Sequence, residues 1–416
     1  MFGFRVFQLA VGAALLFLAE PFNSARAATE ESAELQWIGS WAAAPSDELA
    51  MLPTVNPIPF FDQTLRTVIT LSAGGEAVRV RISNELGTAR LKIGAVTVGR
   101  WRDGAIVPGS IKTVLFRQHG DAVIPGGAGI DSDPLDLKTA RGEKLAISIY
   151  VPGPVQRLTG HLLGLDQSWS IQGNATGTEQ LPAALPGFAR LLLSRVDVGS
   201  KMRHASTIVA LGDSITDGYQ SSFGAEKRWP DVLARLLKDR PGCTVGIVNQ
   251  GISSNQMLTS GDGLSAVARV GRDVFAVPNA RTLILLEGIN DLGMPPLKGE
   301  PVASAADLKA AFQQIADEAH ARGLRIVVAT ILPFKGAGAP YFSTEGERVR
   351  QEMNDWMRGS SVFDHVIDLD RRMADRKDAD RLAADFDSGD GLHPSDNGYE
   401  AIGQEMFAYL DKDLCH

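Results

Sequence analysis

The chain has 416 residues, 44% of them hydrophobic, with a formal net charge of −8 and a pI near 5.5. That length suffices for two packed cores, because single cores stop growing at about 250–300 residues. No Lys/Arg-rich run is present, which excludes nucleic acid as a partner, since phosphate binding needs concentrated positive charge.

At the amino terminus Arg5 is followed by an apolar run over 6–19, then Pro21 and the small-residue pattern Ala25-Arg26-Ala27. The run is shorter than the ~20 residues needed to span a bilayer. The pattern predicts a signal peptide over 1–27, removed on export to the periplasm or the extracellular space. No later stretch is apolar enough for a membrane helix, so no stable membrane insertion is expected. Export permits a disulfide between the two cysteines, Cys243 and Cys415. One precedes a predicted strand and the other follows the last predicted helix. A bridge and two separate thiols both fit that placement. Neither has a second cysteine nearby, which excludes CxxC redox or zinc chemistry.

From 36 to 200 the dominant period is two. Val78, Val80 and Ile82 alternate with Arg79, Arg81 and Ser83. Leu145, Ile147, Ile149 and Val151 alternate with Lys144, Ala146, Ser148 and Tyr150, and Leu91 and Ile93 repeat the pattern. Glycine and proline clusters punctuate it at Gly74-Gly75, Gly126-Gly127 and Pro152 with Pro154. Half-buried strands joined by short turns give this pattern, so a β-sandwich or jelly-roll domain is predicted over 36–200. Trp37, Trp41 and Trp101 are either core residues or platforms for sugar rings.

A second domain is predicted over 203–416, where apolar strands alternate with helices. The strands are placed at 208–211, 245–248, 283–286, 326–332 and within 362–369, and the helices at 229–237, 306–321, 345–357 and 396–410. This order predicts a five-stranded parallel sheet with helices on both faces, an α/β fold. In such sheets functional residues gather at the carboxyl ends of the strands.

Four motifs fall there. Leu211-Gly212-Asp213-Ser214-Ile215-Thr216 ends the first strand and can present a serine at a strand-to-helix turn, beside backbone N–H groups able to receive an oxyanion. It is not the α/β-hydrolase nucleophile elbow, because Thr216 stands where that motif needs glycine. Asn249-Gln250-Gly251 ends the second strand, and its glycine permits a close backbone approach. Gly288-Ile289-Asn290-Asp291 ends the third and offers a side-chain amide. Asp390-Gly391-Leu392-His393 precedes the last helix, where His393 can take a proton from Ser214 and Asp390 can orient the imidazole. Asp387 is a competing partner at a less favourable spacing. The spacing D-x-x-H occurs at two other places. Asp317/His320 lies within a helix as a surface pair, and Asp413/His416 is the chain terminus.

These four blocks, LGDSITDG, NQGISSN, GIND and DGLHP, make 205–412 resemble the SGNH/GDSL hydrolase family. The resemblance implies a flavodoxin-like parallel sheet with Ser214 as nucleophile, His393 as base and Asp390 as its partner. It also implies an oxyanion hole from the Ser214 and Gly251 N–H groups and the Asn290 amide. With the β-domain and its opening Trp37-Ile38-Gly39-Ser40-Trp41, the chain looks like the two-domain branch of exported bacterial esterases, which includes carbohydrate acetyl esterases. The expected substrate is a carboxylic ester, an O-acetylated saccharide first. A short-chain lipid or aryl ester, or a thioester, comes next, and a non-catalytic polysaccharide-binding protein is a further alternative. The scheme needs no metal and no cofactor. H-E-x-x-H is absent, and the acidic run at 385–390 departs from a calcium loop at Gly389 and Asp390, so it reads as a flexible, solvated loop delivering Asp390. No feature specifies an oligomeric state.

Overall fold

The computed structural model describes residues 34–46, 60–155, 157–181, 184–237 and 241–412. The signal peptide expected over 1–27, Cys415 and the Asp413/His416 pair lie outside these residues. Leu35–His416 forms one compact unit.

The period-two half folds into antiparallel sheets, as its alternation requires. A four-stranded sheet runs in the order Gln36–Ala42, Leu193–Ser200, Ala77–Asn84, Ala128–Asp131. A larger sheet has Gln63–Thr70, Lys144–Val151 and Ala95–Arg102 at its centre, with Ser168–Gln172 on the far side of Gln63–Thr70. The alternating residues meet between the two sheets. Val78, Val80 and Ile82 from one, and Leu145, Ile147 and Ile149 from the other, are all buried in a shared core. Trp41 is part of that core. Trp37 lies under the Arg79 guanidinium, 4.6 Å from its ring centroid, and Trp101 packs on Trp169 at 5.4 Å.

The second half contains five parallel strands in the order Cys243–Gly251, His204–Gly212, Ala280–Leu286, Arg325–Ala329, His365–Ile367. The first strand in sequence lies second in space, so the strand order reverses beside His204–Gly212, the kind of switch point at which α/β sheets bind ligands. The continuous run Ile208 to Leu211 is fully buried, as a strand covered on both faces must be. Helices Ala305–Ala321, Thr344–Gly359 and Asp396–Leu410 begin at Ser304, Ser343 and Ser395, whose side chains each accept a first-turn N–H. The expected 326–332 strand stops at Ala329, beyond which Asn354 binds Ile331 N–H and C=O with its side chain. His320 does not pair with Asp317; its Nε2 meets Asp364 at 3.0 Å. Cys243 is buried at the first residue of its strand and is not a free thiol. No helix among the described residues is long and apolar enough to cross a membrane.

Strand Gln36–Ala42 joins the two halves. It pairs with Leu193–Ser200 on one side and lays its backbone against the parallel sheet on the other. Gly39 donates its N–H to Thr207 Oγ1 at 2.9 Å, and a Cβ on Gly246 would stand 2.0 Å from the Gly39 carbonyl oxygen. Ser72 extends the seam by bonding both Ile247 C=O and Ile247 N–H.

Candidate active site

Strand His204–Gly212 ends in Asp213, whose side chain caps the one-turn helix Ser214–Asp217 by accepting Ile215 N–H at 2.8 Å. That cap sets Ser214 at the carboxyl end of the strand. The loop before helix Asp396–Leu410 carries His393. Ser214 Oγ and His393 Nε2 stand 2.9 Å apart, and His393 Nδ1 is 2.7 Å from Asp390 Oδ2. A carboxylate only accepts, so Nδ1 carries the hydrogen and Nε2 is free to take the Ser214 proton. The second oxygen of Asp390 accepts the N–H groups of His393 and Leu392 at 2.8 and 2.9 Å. Burial alone would raise the Asp390 pKa, but these bonds outweigh it and hold the group below the ordinary carboxylate range. Burial lowers the His393 pKa despite Asp390, which favours the neutral ring.

Asp387 does not reach the imidazole nitrogens. Its Oδ1 accepts Gly389 and Gly391 N–H at 2.8 and 3.0 Å, and Ser388 N–H returns to His393 C=O. The acidic segment expected as a flexible, solvated loop is exposed at Asp385, Ser388, Gly389 and Asp390 and carries these hydrogen bonds within it. Among the described residues no group of His, Cys, Asp or Glu is arranged to hold a metal ion.

The three expected donors sit differently. Ser214 N–H has no acceptor among the described residues. Asn290 Nδ2 donates to Asn255 C=O at 2.9 Å while its Oδ1 accepts from Tyr341 Oη at 2.8 Å, so one amide hydrogen remains uncommitted. Gly251 N–H is already donated to Asn249 Oδ1 at 2.8 Å, and an anion would have to compete for it. The strand-end glycine has another use: a Cβ there would lie 2.2 Å from Asp217 N, so its absence lets the Ser214 helix pack on the strand. Three residues on, Ser254 adopts φ 60° in the turn at Ile252–Asn255, and its N–H has no acceptor among the described residues.

Several residues absent from the motifs support this site. Arg269 is completely buried and donates to Gly212 C=O at 2.8 Å, Gln250 C=O at 2.6 Å and Asn255 Oδ1 at 2.9 Å, tying two strand ends to the turn. Glu287 is buried beside Asp213, and neither of its carboxyl oxygens receives a hydrogen bond. Burial raises Asp213 to about 7 and Glu287 well above its ordinary value, so a protonated Glu287 can donate to Asp213. The acidic side chain ending the apolar run Leu283 to Leu286 was the available sequence signal. Tyr219, 40% exposed, lies with its ring centroid 4.6 Å from that of His393. A cavity of about 400 Å³ lies in the β-rich half, lined by Phe60, Leu158, Leu162, Trp169, Phe188 and Leu191, and includes neither Ser214 nor His393.

With the Ser214, Gly251 and Asn290 blocks at strand ends and the His393 block before the last helix, the α/β half is that of a carboxylic ester hydrolase. Residues 210–401 match the family model described as the GDSL-like Lipase/Acylhydrolase family, and this segment is a domain of that family. Comparison with curated proteins finds no match. Among solved structures, the chain is similar to Est24, a carbohydrate acetylesterase from Sinorhizobium meliloti, at 17% identity over 50% of this chain and 97% of that one, with a TM-score of 0.38. A carbohydrate acetylesterase family member from the same organism is similar at 15% identity over 50% and 99%, with a TM-score of 0.40. The M. smegmatis aryl esterase is similar at 17% identity over 50% and 99%, with a TM-score of 0.38.

Proposed function

We propose that this protein is an exported serine esterase that removes acyl groups, acetyl first, from O-acylated carbohydrate through an acyl-enzyme. The observation carrying the reading is the unbroken hydrogen-bonded chain from Ser214 Oγ through His393 to Asp390. Ser214 attacks the ester carbonyl as His393 takes its proton, and Asp390 stabilises the imidazolium. The developing oxyanion is received by Ser214 N–H and the free hydrogen of Asn290, with Gly251 N–H once released from Asn249. The backbone of Ser254 offers a further uncommitted donor. His393 protonates the leaving alcohol, and water repeats the sequence to free the acid.

Export rests on the 1–27 pattern, and carbohydrate on the resemblance of the sequence to the two-domain esterase branch. A short-chain aryl ester is the second reading, favoured by the exposed Tyr219 ring beside His393.

The test is labelling by a fluorophosphonate, followed by turnover of acetylated xylan and of nitrophenyl esters of short and long acyl chains. Label is expected on Ser214 and absent from Ser214→Ala. An unlabelled wild-type chain, or full turnover by Ser214→Ala, rejects the nucleophile. Preference for nitrophenyl acetate over acetylated xylan moves the substrate to the second reading. Asn290→Ala is expected to lower kcat on the order of 10²–10³-fold; an unchanged kcat removes the amide from the scheme.

A further inference from the structure

The Ser214–Asp217 helix ends on a buried carboxylate that the α/β half alone does not satisfy. Asp217 Oδ2 accepts Ser253 N–H at 3.2 Å and Ser253 Oγ at 3.0 Å. Its other oxygen faces His161 Nε2 at 2.9 Å, and His161 belongs to the β-rich half, on the short strand Gly160–His161 paired with Arg190–Leu191. Both side chains are buried. The second ring nitrogen, Nδ1, meets Ala44 C=O at 3.0 Å. Each ring nitrogen of His161 thus faces an oxygen, one a carbonyl and the other a carboxylate. Arg228, a cation near Asp217, directs its hydrogen bonds to Asp231 at 2.7 and 3.1 Å.

Asp217 is thus held from two sides. One side is the turn that leads through Ser254 to Asn255, whose carbonyl receives the Asn290 amide. The other is a histidine anchored to the β-rich backbone. A shift of this carboxylate moves both the helix that begins at Ser214 and the turn that borders Asn290. We infer that His161 is a positioning residue for the ester-hydrolysis site, so the β-rich half completes the geometry of that site. This inference rests on Ser214 being the nucleophile.

Two isosteric replacements separate the bonds of His161. Glutamine places a donor at the reach of Nε2 and keeps the tie to Asp217. Asparagine places one at the reach of Nδ1, keeps the tie to Ala44 and drops Asp217. Turnover of nitrophenyl acetate is measured per serine titratable by fluorophosphonate, which removes unfolded chains from the comparison. His161→Gln is expected to retain nearly the wild-type kcat. His161→Asn is expected to lose about 10- to 100-fold in kcat, the scale of a misplacement near 1 Å, with little change in KM. A residue of purely structural value would lower the Tm of both variants and leave kcat per titrated site intact. A wild-type kcat in His161→Asn, or an equal fall in both variants, overturns the inference. Should neither variant fold, Asp217→Asn replaces them: its kcat is expected to fall, and an unchanged value overturns the inference. A wild-type chain that neither labels nor hydrolyses nitrophenyl acetate sinks the Ser214 reading itself, and the brace with it.

Discussion

In the proposed mechanism Ser214 needs a neutral His393, and burial lowers the pKa of that ring from its ordinary value near 6.5. An imidazolium cannot accept the serine proton, so activity is absent in acid and rises with pH as His393 loses its proton. The acid limb of kcat/KM is expected to have its midpoint below 6.5. A midpoint above 7 would assign the limb to a different group. The buried pair beside the serine has the opposite sign in stability. Unfolded carboxyls release their protons near pH 4, whereas folded Asp213 holds its proton to about 7 and Glu287 well above its ordinary value, mainly through burial. This pair therefore binds more protons folded than unfolded from about pH 4 to about pH 7, and the stability it contributes falls as pH rises through that window. Glu287→Gln keeps a donor toward Asp213 and removes one buried acid. Its Tm is expected to fall less than that of wild type over this range; an equal fall would show that the pair does not share a proton. Ser214 and Asn290 were legible because each lies in a short motif at a strand end, and Asp390 and His393 because they share one just before the last helix. Arg269 and His161 were not, because a single buried side chain that bonds distant backbone leaves no local pattern. The engagement of Gly251 N–H by Asn249 was equally invisible, since spacing names a donor without naming its acceptor.

At the level of elements, Gly251 joins strand Cys243–Gly251 to the helix Ser214–Asp217. A methyl group there would stand 2.2 Å from Asp217 N and 2.7 Å from Asp217 Cα, both backbone atoms that cannot rotate away. Gly251→Ala is expected to displace the helix, lowering kcat about 100-fold and stability by about 1–3 kcal/mol. Wild-type kinetics in this variant would mean that the helix tolerates the shift. Apolar runs alternating with helical patterns made the five strands and the long helices readable before the structure. Helix Ile289–Leu297 escaped because Pro295 and Pro296 lie within it, and prolines ordinarily punctuate helices. The Ser214–Asp217 helix is a single turn, too short to show a period, and the segment Ala266–Phe275 passes from α- to π-helical hydrogen bonding, which blurs its repeat.

For the whole molecule, the change from period two to alternating strands and helices near 200 marked where the two architectures meet. It gave no information on how tightly they are fused, because seam contacts such as Gly39 with Thr207 and Ser72 with Ile247 join residues 168 and 175 positions apart. Strand Gln36–Ala42 places Trp41 in the core of the β-rich half and Ala42 in that of the α/β half. One short ribbon thus belongs to two interiors at once, and neither can loosen without withdrawing a wall from the other. Scanning calorimetry is expected to record a single endotherm, with hydrolysis vanishing at the same temperature; two resolved peaks would mean that the halves melt independently. A lineage that inherits this ribbon cannot shed or exchange its β-rich portion the way modular enzymes trade appended binding domains, because the cut would pass through the hydrolase itself.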